Sequence, residues 1–394
     1  METQVKTYDC GIIGGGLAGL CLAIQLADRG VSVVLFEKNQ YPFHKVCGEY
    51  ISMESWDFIK SLGLNLDLLN LPIINKLGIS SEKGFMLEHS LQMGGFGISR
   101  FSLDHALARI AAAKGVAVLE HCKVNGLERI GNEGFIIKSS TGDFNVGVLC
   151  GSYGKYTPQF LARNLMDTGN ESDNYIGVKY HIKTDLVPDR IELHNFKDGY
   201  CGVSKVDKDW HCLCYLTTSR NLQENGKDIQ EMEANVLHKN PFLKLYFTHA
   251  EFVNKNPLVI SNIHFSRKQT QTDGVFLLGD AAGSITPLCG NGMSMGMRSS
   301  KILATELIRY FEKKQSIDSV SANYKKAWDH AFGRRITAGY YLQGLFGKRT
   351  TTDLALRALN NFPGVLNKLV SLTHGDRFYV FFLGNGIFGK EIFE

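Results

Sequence analysis

The stretch Gly14-Gly15-Gly16-Leu17-Ala18-Gly19 decides the fold, because it stands between a buried apolar run and a helical pattern. The apolar run at residues 8–13 predicts a core strand, and the pattern at 17–27 predicts a helix that ends at Gly30. Residues 31–36 are apolar and rich in β-branched side chains, which predicts a second buried strand parallel to the first. Together these segments predict a βαβ unit.

Each glycine of the turn suits a different task in holding a dinucleotide. Gly14 allows a tight turn, Gly16 lets the backbone approach a pyrophosphate, and Gly19 lets the helix pack close to the strand. The helix N-terminus presents free N–H groups and a partial positive charge to phosphates. Glu37 closes the second strand, at about the 20-residue offset expected for a carboxylate that binds ribose hydroxyls. The stretch therefore predicts a site for an adenine dinucleotide.

Composition excludes several classes of protein. The 394 residues are enough for two or three packed regions, and a net charge of +4 is too small to argue for nucleic acid as a partner. Nine cysteines are scattered, several of them in apolar strands. Cys212 and Cys214 are two residues apart, but no second Cys or His pair stands at the spacing that a metal site needs. The start of the chain is polar and no run approaches 20 apolar residues. We therefore expect a reduced, cytoplasmic protein without a metal site, a signal peptide or a transmembrane helix.

The βαβ elements are separated by β-rich insertions, which predicts a discontinuous nucleotide domain threaded through a second domain. We expect a nucleotide-binding domain of residues 1–75, 100–174 and 266–319, a β-sheet substrate domain of 76–99 and 175–265, and a C-terminal helical region of 320–394.

A second motif lies far downstream. Residues 275–278 predict a buried strand that ends in Gly279-Asp280, and Pro287, Gly290, Asn291 and Gly292 lead into a long helix. A carboxylate at the carboxyl end of a parallel strand lies where ligands bind in such sheets. Two such motifs, far apart in one chain, predict a longer cofactor that is held permanently.

With these motifs the chain resembles the FAD-dependent oxidoreductases of the para-hydroxybenzoate hydroxylase fold. Arg100, ahead of a helix at 101–107, also matches, and the resemblance covers about residues 8–315. It implies an α/β fold: an FAD-binding Rossmann-like domain of the GR2 type, an inserted antiparallel β-sheet substrate domain and a helical C-terminal tail.

The resemblance also implies roles for residues. Glu37 would bind the adenosine ribose of FAD, Asp280 would bind the ribityl chain, and Arg100 would lie near the ribose or pyrophosphate. The backbone of residues 290–292 would face the isoalloxazine. The complete expected cofactor-binding set is Gly14, Gly16, Gly19, Glu37, Lys45, Arg100, Gly279, Asp280, Pro287, Gly290, Asn291 and Gly292.

Within this fold, the chain resembles one branch more than the others. Residues 45–49, Lys-Val-Cys-Gly-Glu, resemble the Cys-Gly loop of geranylgeranyl reductases, and residues 199–203 resemble their sheet-domain segment. Where those reductases carry a Tyr-x-Trp-x-Phe-Pro stretch, this chain has Gly202 in place of the tryptophan, which changes the pocket. The Asp-Gly motif of aromatic hydroxylases is absent at residues 150–154, and so is the Trp-x-Trp-x-Ile-Pro segment of flavin halogenases. These departures weigh against a hydroxylase and a halogenase.

Two residues are candidates for catalysis. Cys47 could protonate a substrate carbon, because the neighbouring Lys45 favours thiolate character and glycine lets a flavin approach; otherwise it is a small side chain that packs the loop. Tyr200 could line the pocket or donate a proton, and otherwise it is an ordinary strand aromatic. His44 is either a proton relay or a solvated loop histidine. We favour a role for Glu49 as the cap of a helix that starts near Ser52 over a role in catalysis.

These features favour an FAD-dependent oxidoreductase that transfers a hydride at flavin N5 to or from a lipophilic unsaturated, isoprenoid or polyketide-like molecule. The first alternative is an aromatic monooxygenase that uses NAD(P)H and O₂, and the second is a non-catalytic binding protein of the flavin fold. The electron donor is open between NAD(P)H and a small redox protein. The basic, Leu- and Phe-containing segment from residue 331 to 374 leaves peripheral membrane contact open against a simple core-covering role.

Overall fold

The computed structural model describes residues 5–131, 133–162, 174–263, 268–284, 290–344 and 346–379. Its strands are, in chain order, β1 (Lys6–Ile13), β2 (Val33–Phe36), β3 (Tyr50–Ser52), β4 (Ile73–Ser80), β5 (Met86–Gly97), β6 (Ala117–Leu119), β7 (Val124–Ile130), β8 (Gly134–Ser139), β9 (Gly142–Gly151), β10 (Tyr175–Lys183), β11 (Arg190–Phe196), β12 (Gly199–Lys205), β13 (His211–Thr218), β14 (Glu251–Phe252), β15 (Leu258–Ile263), β16 (Gln271–Thr272) and β17 (Val275–Leu277). Its helices are α1 (Leu17–Ala27), α2 (Trp56–Ser61), α3 (Arg100–Ala113), α4 (Gln159–Ala162), α5 (Ser219–Glu224), α6 (Ile229–Asn235), α7 (Pro241–His249), α8 (Gly292–Phe311), α9 (Ile317–Gln343), α10 (Arg349–Asn360) and α11 (Pro363–Ser371).

The first sheet has a parallel core in the order β17-β9-β1-β2-β6. Its central strands are buried on both faces, as their continuous apolar runs predict. The hairpin β7–β8 extends this sheet through β9, and β16 pairs antiparallel with β17. Helix α1 packs between α3 and α8. The expected Rossmann-like unit is thus confirmed, with the glycine-rich turn at the carboxyl end of β1.

The second sheet runs in the order β14-β10-β13-β12-β11-β4-β5-β3, with β15 added beside β10. Its pairs are antiparallel except for β4 and β11, which pair in parallel. Because β3 and the start of β4 belong to this sheet, the boundary expected at residue 76 falls inside β4. The second sheet therefore shares the loop between β2 and β3 with the nucleotide unit.

Within the described residues, the tail carries α9, α10 and α11, as expected. Helix α9 packs against α8, and α10 and α11 cover part of the second sheet at β5. Among the described residues, none of the helices combines the length and the apolar character that crossing a bilayer requires.

Candidate functional site

A single cavity of about 1320 Å³ joins the carboxyl end of the first sheet to one face of the second. Its lining includes Gly14, Gly16 and Glu37 at one end and Gly290 and Gly292 further along. The volume exceeds the roughly 300–1,000 Å³ of an ordinary small-molecule site, so a large cofactor and a second molecule can be held together.

The three glycines of the turn have different surroundings. A Cβ on Gly14, whose φ is 104°, would lie 2.4 Å from the carbonyl oxygen of Ser152, and one on Gly19 would lie 2.3 Å from the carbonyl oxygen of Gly14. These two positions need glycine for backbone packing. A Cβ on Gly16 would instead face Lys45 Nζ at 3.7 Å and Arg100 Nη2 at 3.8 Å. The space beside Gly16 is therefore a cradle between a helix N-terminus and two cations.

The charge of this cradle suits phosphates. Arg100 donates two hydrogen bonds of 2.8 Å to the Asp104 carboxylate, and Lys45 Nζ lies 3.1 Å from the same group. Burial alone would raise the pKa of Asp104, but the two cations outweigh it and hold that pKa below its usual range. The cradle thus contains two cations, Lys45 and Arg100, and one carboxylate, Asp104. Together with the positive end of α1, this gives the cradle a net positive charge.

Glu37 lines the cavity beside the glycine-rich turn. Its Oε2 accepts a hydrogen bond from the Gly15 N–H at 3.0 Å, and its Oε1 accepts from the N–H and the side-chain amide of Asn39 at 3.0 and 2.9 Å. A carboxylate has about four acceptor positions, so this group can still receive a ribose hydroxyl.

The second motif reaches the same cavity, with Gly279 close to Ala18 in the first turn of α1. Gly279 and Asp280 line it just after β17, and Gly290 and Gly292 line it at the start of α8. Asn291 lies between two lining residues, and its amide donates at 2.7 Å to the carbonyl oxygen of Thr373, which also lines the cavity. Pro287 lies outside the described residues. Carboxylate acceptors from both motifs and the cations Lys45 and Arg100 line one cavity, a donor and acceptor set that fits the charge of FAD.

Cys47 also lines the cavity, in the loop between the two sheets. Its Sγ is 3.5 Å from Met293 Sδ in the first turn of α8, and its carbonyl oxygen accepts from Cys212 Sγ at 3.2 Å. Lys45, expected to act on this thiol, is instead paired with Asp104. Two cations, Arg100 and Lys179, interact with the Cys47 side chain; burial would lower the pKa of Arg100, but Asp104 and Cys47 raise it.

Tyr200 is placed in the apolar arm of the cavity, on β12. Its ring packs with Leu216 and Ile263, and its centroid is 6.5 Å from that of Phe346. This arm runs between the second sheet and the tail helices, and it is lined by Leu77, Ile79, Leu193, Leu356, Leu366 and Leu369, among others. Gly202 lies on the same strand face and lines the arm, where an added Cβ would have its nearest neighbour at 3.6 Å.

A buried ion cluster beneath the Cys47 loop was missed by the sequence analysis. The Lys179 side chain of β10 is 1% exposed, its ammonium contacts the Glu49 carboxylate, and it donates to the Lys45 carbonyl oxygen at 3.1 Å. His181 Nε2 lies 2.7 Å from Glu49 Oε2. Lys179 and His181 alternate with apolar residues in a buried strand, which is the signal that could have revealed them.

The expected role of Glu49 was wrong. Its Oε1 accepts from the Arg100 N–H at 2.8 Å, so it caps α3 and not the helix near Ser52. The Ser52 hydroxyl caps the helical turn that follows it, by accepting a hydrogen bond from the Glu54 N–H. Burial would raise the pKa of Glu49, but the hydrogen bond from His181 and the charge of Lys179 lower it below the usual carboxyl range. The carboxylate is therefore charged and paired.

His44 is not a solvated loop residue. Its ring stacks on Phe101 with a centroid distance of 4.6 Å and lies 5.1 Å from the ring of His181. Burial and the nearby His181 and Lys179 lower its pKa. His44, Glu49 and His181 bring ligand atoms within 4.8 Å of one another, as a divalent metal would require. However, the Lys179 ammonium already neutralises the carboxylate, which disfavours a second cation there.

Comparisons with known proteins agree with this geometry. Residues 7–133 match the model of an FAD binding domain family. The curated relatives include conditioned medium factor receptor 1 of Dictyostelium discoideum, 23% identical over 94% of this chain and 75% of that protein. They also include digeranylgeranylglycerophospholipid reductase 1 of Methanococcoides burtonii, 24% identical over 90% of this chain and 87% of that protein.

Two solved structures show the same fold. A flavin-dependent brominase superposes with a TM-score of 0.77 at 20% identity, covering 93% of both chains. A geranylgeranyl bacteriochlorophyll reductase-like protein from Thermoplasma acidophilum superposes with a TM-score of 0.73 at 17% identity, covering 95% of this chain and 93% of the other.

Proposed function

We propose that this chain, which matches an FAD binding domain over residues 7–133, is an FAD-dependent oxidoreductase that transfers a hydride between FAD and a lipophilic unsaturated molecule of isoprenoid or polyketide type. The observation that carries the proposal is the apolar arm, which continues from the cofactor end of the cavity between the second sheet and α10 and α11. When bound, FAD supplies the hydride chemistry at its N5 atom.

We propose that the residues of the two motifs hold FAD in an extended form. Lys45, Arg100 and the N-terminus of α1 would face the pyrophosphate, while Glu37 and Asp280 would receive ribose and ribityl hydroxyls. The glycines around Asn291 leave the backbone open toward the ring system, and the arm excludes water from the reacting carbon.

Cys47 is the proton donor that we propose for this site. Its thiol lies between the Arg100 cation and the first turn of α8, on the cavity wall. In a reduction, the substrate carbon next to the one that receives the hydride would take the proton from Sγ, and solvent would restore it. Cys47→Ser should slow reoxidation of the reduced protein by substrate while leaving FAD content unchanged.

The direct test uses purified, FAD-loaded protein. It is photoreduced without oxygen and mixed with a panel of unsaturated isoprenoid and polyketide-type compounds that includes geranylgeraniol. We expect one class of compound to restore the oxidised flavin spectrum and to gain two hydrogen atoms, measured by product mass. Turnover that requires O₂ and adds one oxygen atom would refute the reductase in favour of the monooxygenase alternative. Protein without flavin after gentle purification would favour the binding-protein alternative.

The electron donor belongs to the same proposal. Bleaching of the flavin absorbance by NADH or NADPH under nitrogen would identify a nicotinamide donor. Bleaching only after addition of a reduced ferredoxin or flavodoxin would identify a small redox protein.

We also propose peripheral membrane contact through α10 and α11. Leu354 on α10 is 62% exposed, and Phe362 at the N-cap of α11 is 61% exposed; α10 also carries the cation Arg349, and α11 carries Lys368. Apolar side chains next to cations suit an anionic lipid surface, from which a lipid substrate could enter the arm. We expect the protein to sediment with phosphatidylserine-containing vesicles more than with phosphatidylcholine vesicles, and Leu354→Glu to reduce that binding.

A further inference from the structure

The chain returns to the cofactor end of the cavity after α11. We call residues 373–379 the carboxy-terminal strap. The Thr373 carbonyl oxygen accepts from the Asn291 amide at 2.7 Å, and the Phe378 N–H donates to the Glu54 carbonyl oxygen at 3.1 Å. The Phe378 ring is buried, 4.8 Å from the ring of Phe58. The strap is thus fixed at both of its ends.

A buried ion cluster holds the middle of the strap. The Glu54 carboxylate, which is fully buried, lies 3.2 Å from Arg298 and 3.5 Å from Arg335. Arg298 also donates to the Asp376 carbonyl oxygen. A Cβ on Gly375 would lie 1.7 Å from Arg335 Nη2 and 2.7 Å from Glu54 Oε2, so glycine lets the strap cross directly over the cluster. This close approach joins α8, α9 and the strap at one point.

The Asn291 side chain forms its hydrogen bond with the strap and not with the helix that it begins. Asn291 is fully buried at the N-cap of α8, but its side chain makes no capping hydrogen bond to the helix and bonds to the strap. Its neighbours Gly290 and Gly292 line the cavity. Glycines on both sides give this backbone little restraint of its own, so the Asn291–Thr373 bond adds to the hydrogen bond from the Met295 N–H to the Asn291 carbonyl oxygen in holding it in place.

We propose that the carboxy-terminal strap is a positioning element of the FAD site: it fixes the cavity-facing backbone at residues 290–292 through Asn291. Phe378 and Glu54 are positioning residues, because they act through the strap and are outside the cavity lining. The inference rests on FAD binding and is independent of the substrate proposed above.

The test compares Phe378→Ala with Asn291→Ala in the full chain. Each variant should raise the FAD dissociation constant on the order of tenfold, the equivalent of one lost buried hydrogen bond. Each should also alter the visible circular dichroism of the bound flavin, a signal that a general loss of stability does not change. If both act through one link, the double variant should bind FAD about as weakly as the weaker single variant.

Matched controls separate positioning from packing. Asn240→Ala removes an equally buried amide that bonds within the second sheet domain, and Phe252→Ala removes a ring packed on Tyr180. Both should lower the melting temperature and leave flavin affinity and dichroism unchanged. If Phe378→Ala behaves like Phe252→Ala, or if the effects of Phe378→Ala and Asn291→Ala simply add, the proposal is refuted. Should Phe378→Ala fail to fold, Gly375→Ala tests the same link: loss of flavin dichroism supports it, and an unchanged spectrum refutes it.

Discussion

Glu233 shows how a single buried residue can control the pH dependence of stability. Its carboxyl on α6 accepts hydrogen bonds from the hydroxyls of Tyr180 and Tyr215 at 2.9 and 2.7 Å. Burial raises the pKa of Glu233 from 4.5 to about 7, although the two hydroxyls oppose that rise. In this pH range the folded protein holds a proton that the unfolded chain has released. The free energy of unfolding therefore decreases as pH rises toward 7.

We predict that Glu233→Gln removes this contribution, since glutamine keeps an acceptor for the tyrosines and cannot ionise. Each pH unit is worth about 1.4 kcal/mol, so the difference between the two proteins should change by on the order of 3 kcal/mol between pH 4.5 and 7. Urea unfolding at several pH values measures it. Parallel stability curves for wild type and variant would contradict the assignment.

The glycines of the first turn give a second prediction at this scale. Gly16→Ala should weaken FAD binding tenfold or more, about 1.4 kcal/mol or above, because its methyl group would occupy the cradle between Lys45 and Arg100. It should leave the melting temperature of the flavin-free protein unchanged. Gly19→Ala should lower that temperature, because its Cβ would meet the Gly14 carbonyl oxygen. Flavin titration and thermal melts of both variants check the contrast; equal effects on stability would contradict it.

At the scale of elements, the loop between β2 and β3 depends on a strand of the other sheet. Lys179→Met would leave the Glu49 carboxylate buried beside His181 with no full cationic partner. We expect a loss of about 3–5 kcal/mol in the free energy of unfolding, the usual cost of breaking a buried ion pair from one side. The double variant Lys179→Met/Glu49→Gln should recover part of that loss, as chemical denaturation would show. No recovery in the double variant would mean that the pair is not the cause.

Helices whose pattern of apolar residues and end signals lies within one short stretch of sequence were predicted well. Helix α1 spans residues 17–27 as expected, and the long helix after the second motif begins at Gly292 as expected. Glu49 was assigned to the wrong helix because its partners Arg100, Lys179 and His181 are far away in the chain. Periodicity reports which face of an element is buried, and not which distant side chain meets it there.

At the scale of the whole molecule, the cavity exists only where two sheets and the tail helices meet. We predict that Ala355→Trp, which fills the arm from α10, shortens the longest ligand that fits. Geraniol, farnesol and geranylgeraniol form a series of increasing chain length, and the shift in flavin absorbance measures the binding of each. Affinity for the longest should fall tenfold or more, about 1.4 kcal/mol, relative to the shortest.

Ala358→Trp is the control on the same helix, since Ala358 is exposed to solvent. It should leave the affinities for all three alcohols unchanged. Equal loss of all three alcohols in Ala355→Trp would indicate general damage to the site and not a change in its length.

The two glycine-rich motifs, at residues 14–19 and 279–292, could be recognised from the sequence because each lies between its own strand and helix, and residues of both line the same cavity. The apolar arm was not predicted. Its walls, such as Leu193 and Leu366, are ordinary core-type residues in sequence, and only the packing of α10 and α11 leaves space between them.

The bond from Asn291 to Thr373 also has a consequence for biogenesis. During translation the glycine turn and α1 leave the ribosome early, but the strap emerges only after α11, and Phe378 later still. A nascent chain that has exposed α8 but not the strap can bind FAD only through a loosely held loop. Flavin loading should therefore be completed late in synthesis, and a stalled ribosome carrying the chain up to α11 should release the cofactor easily.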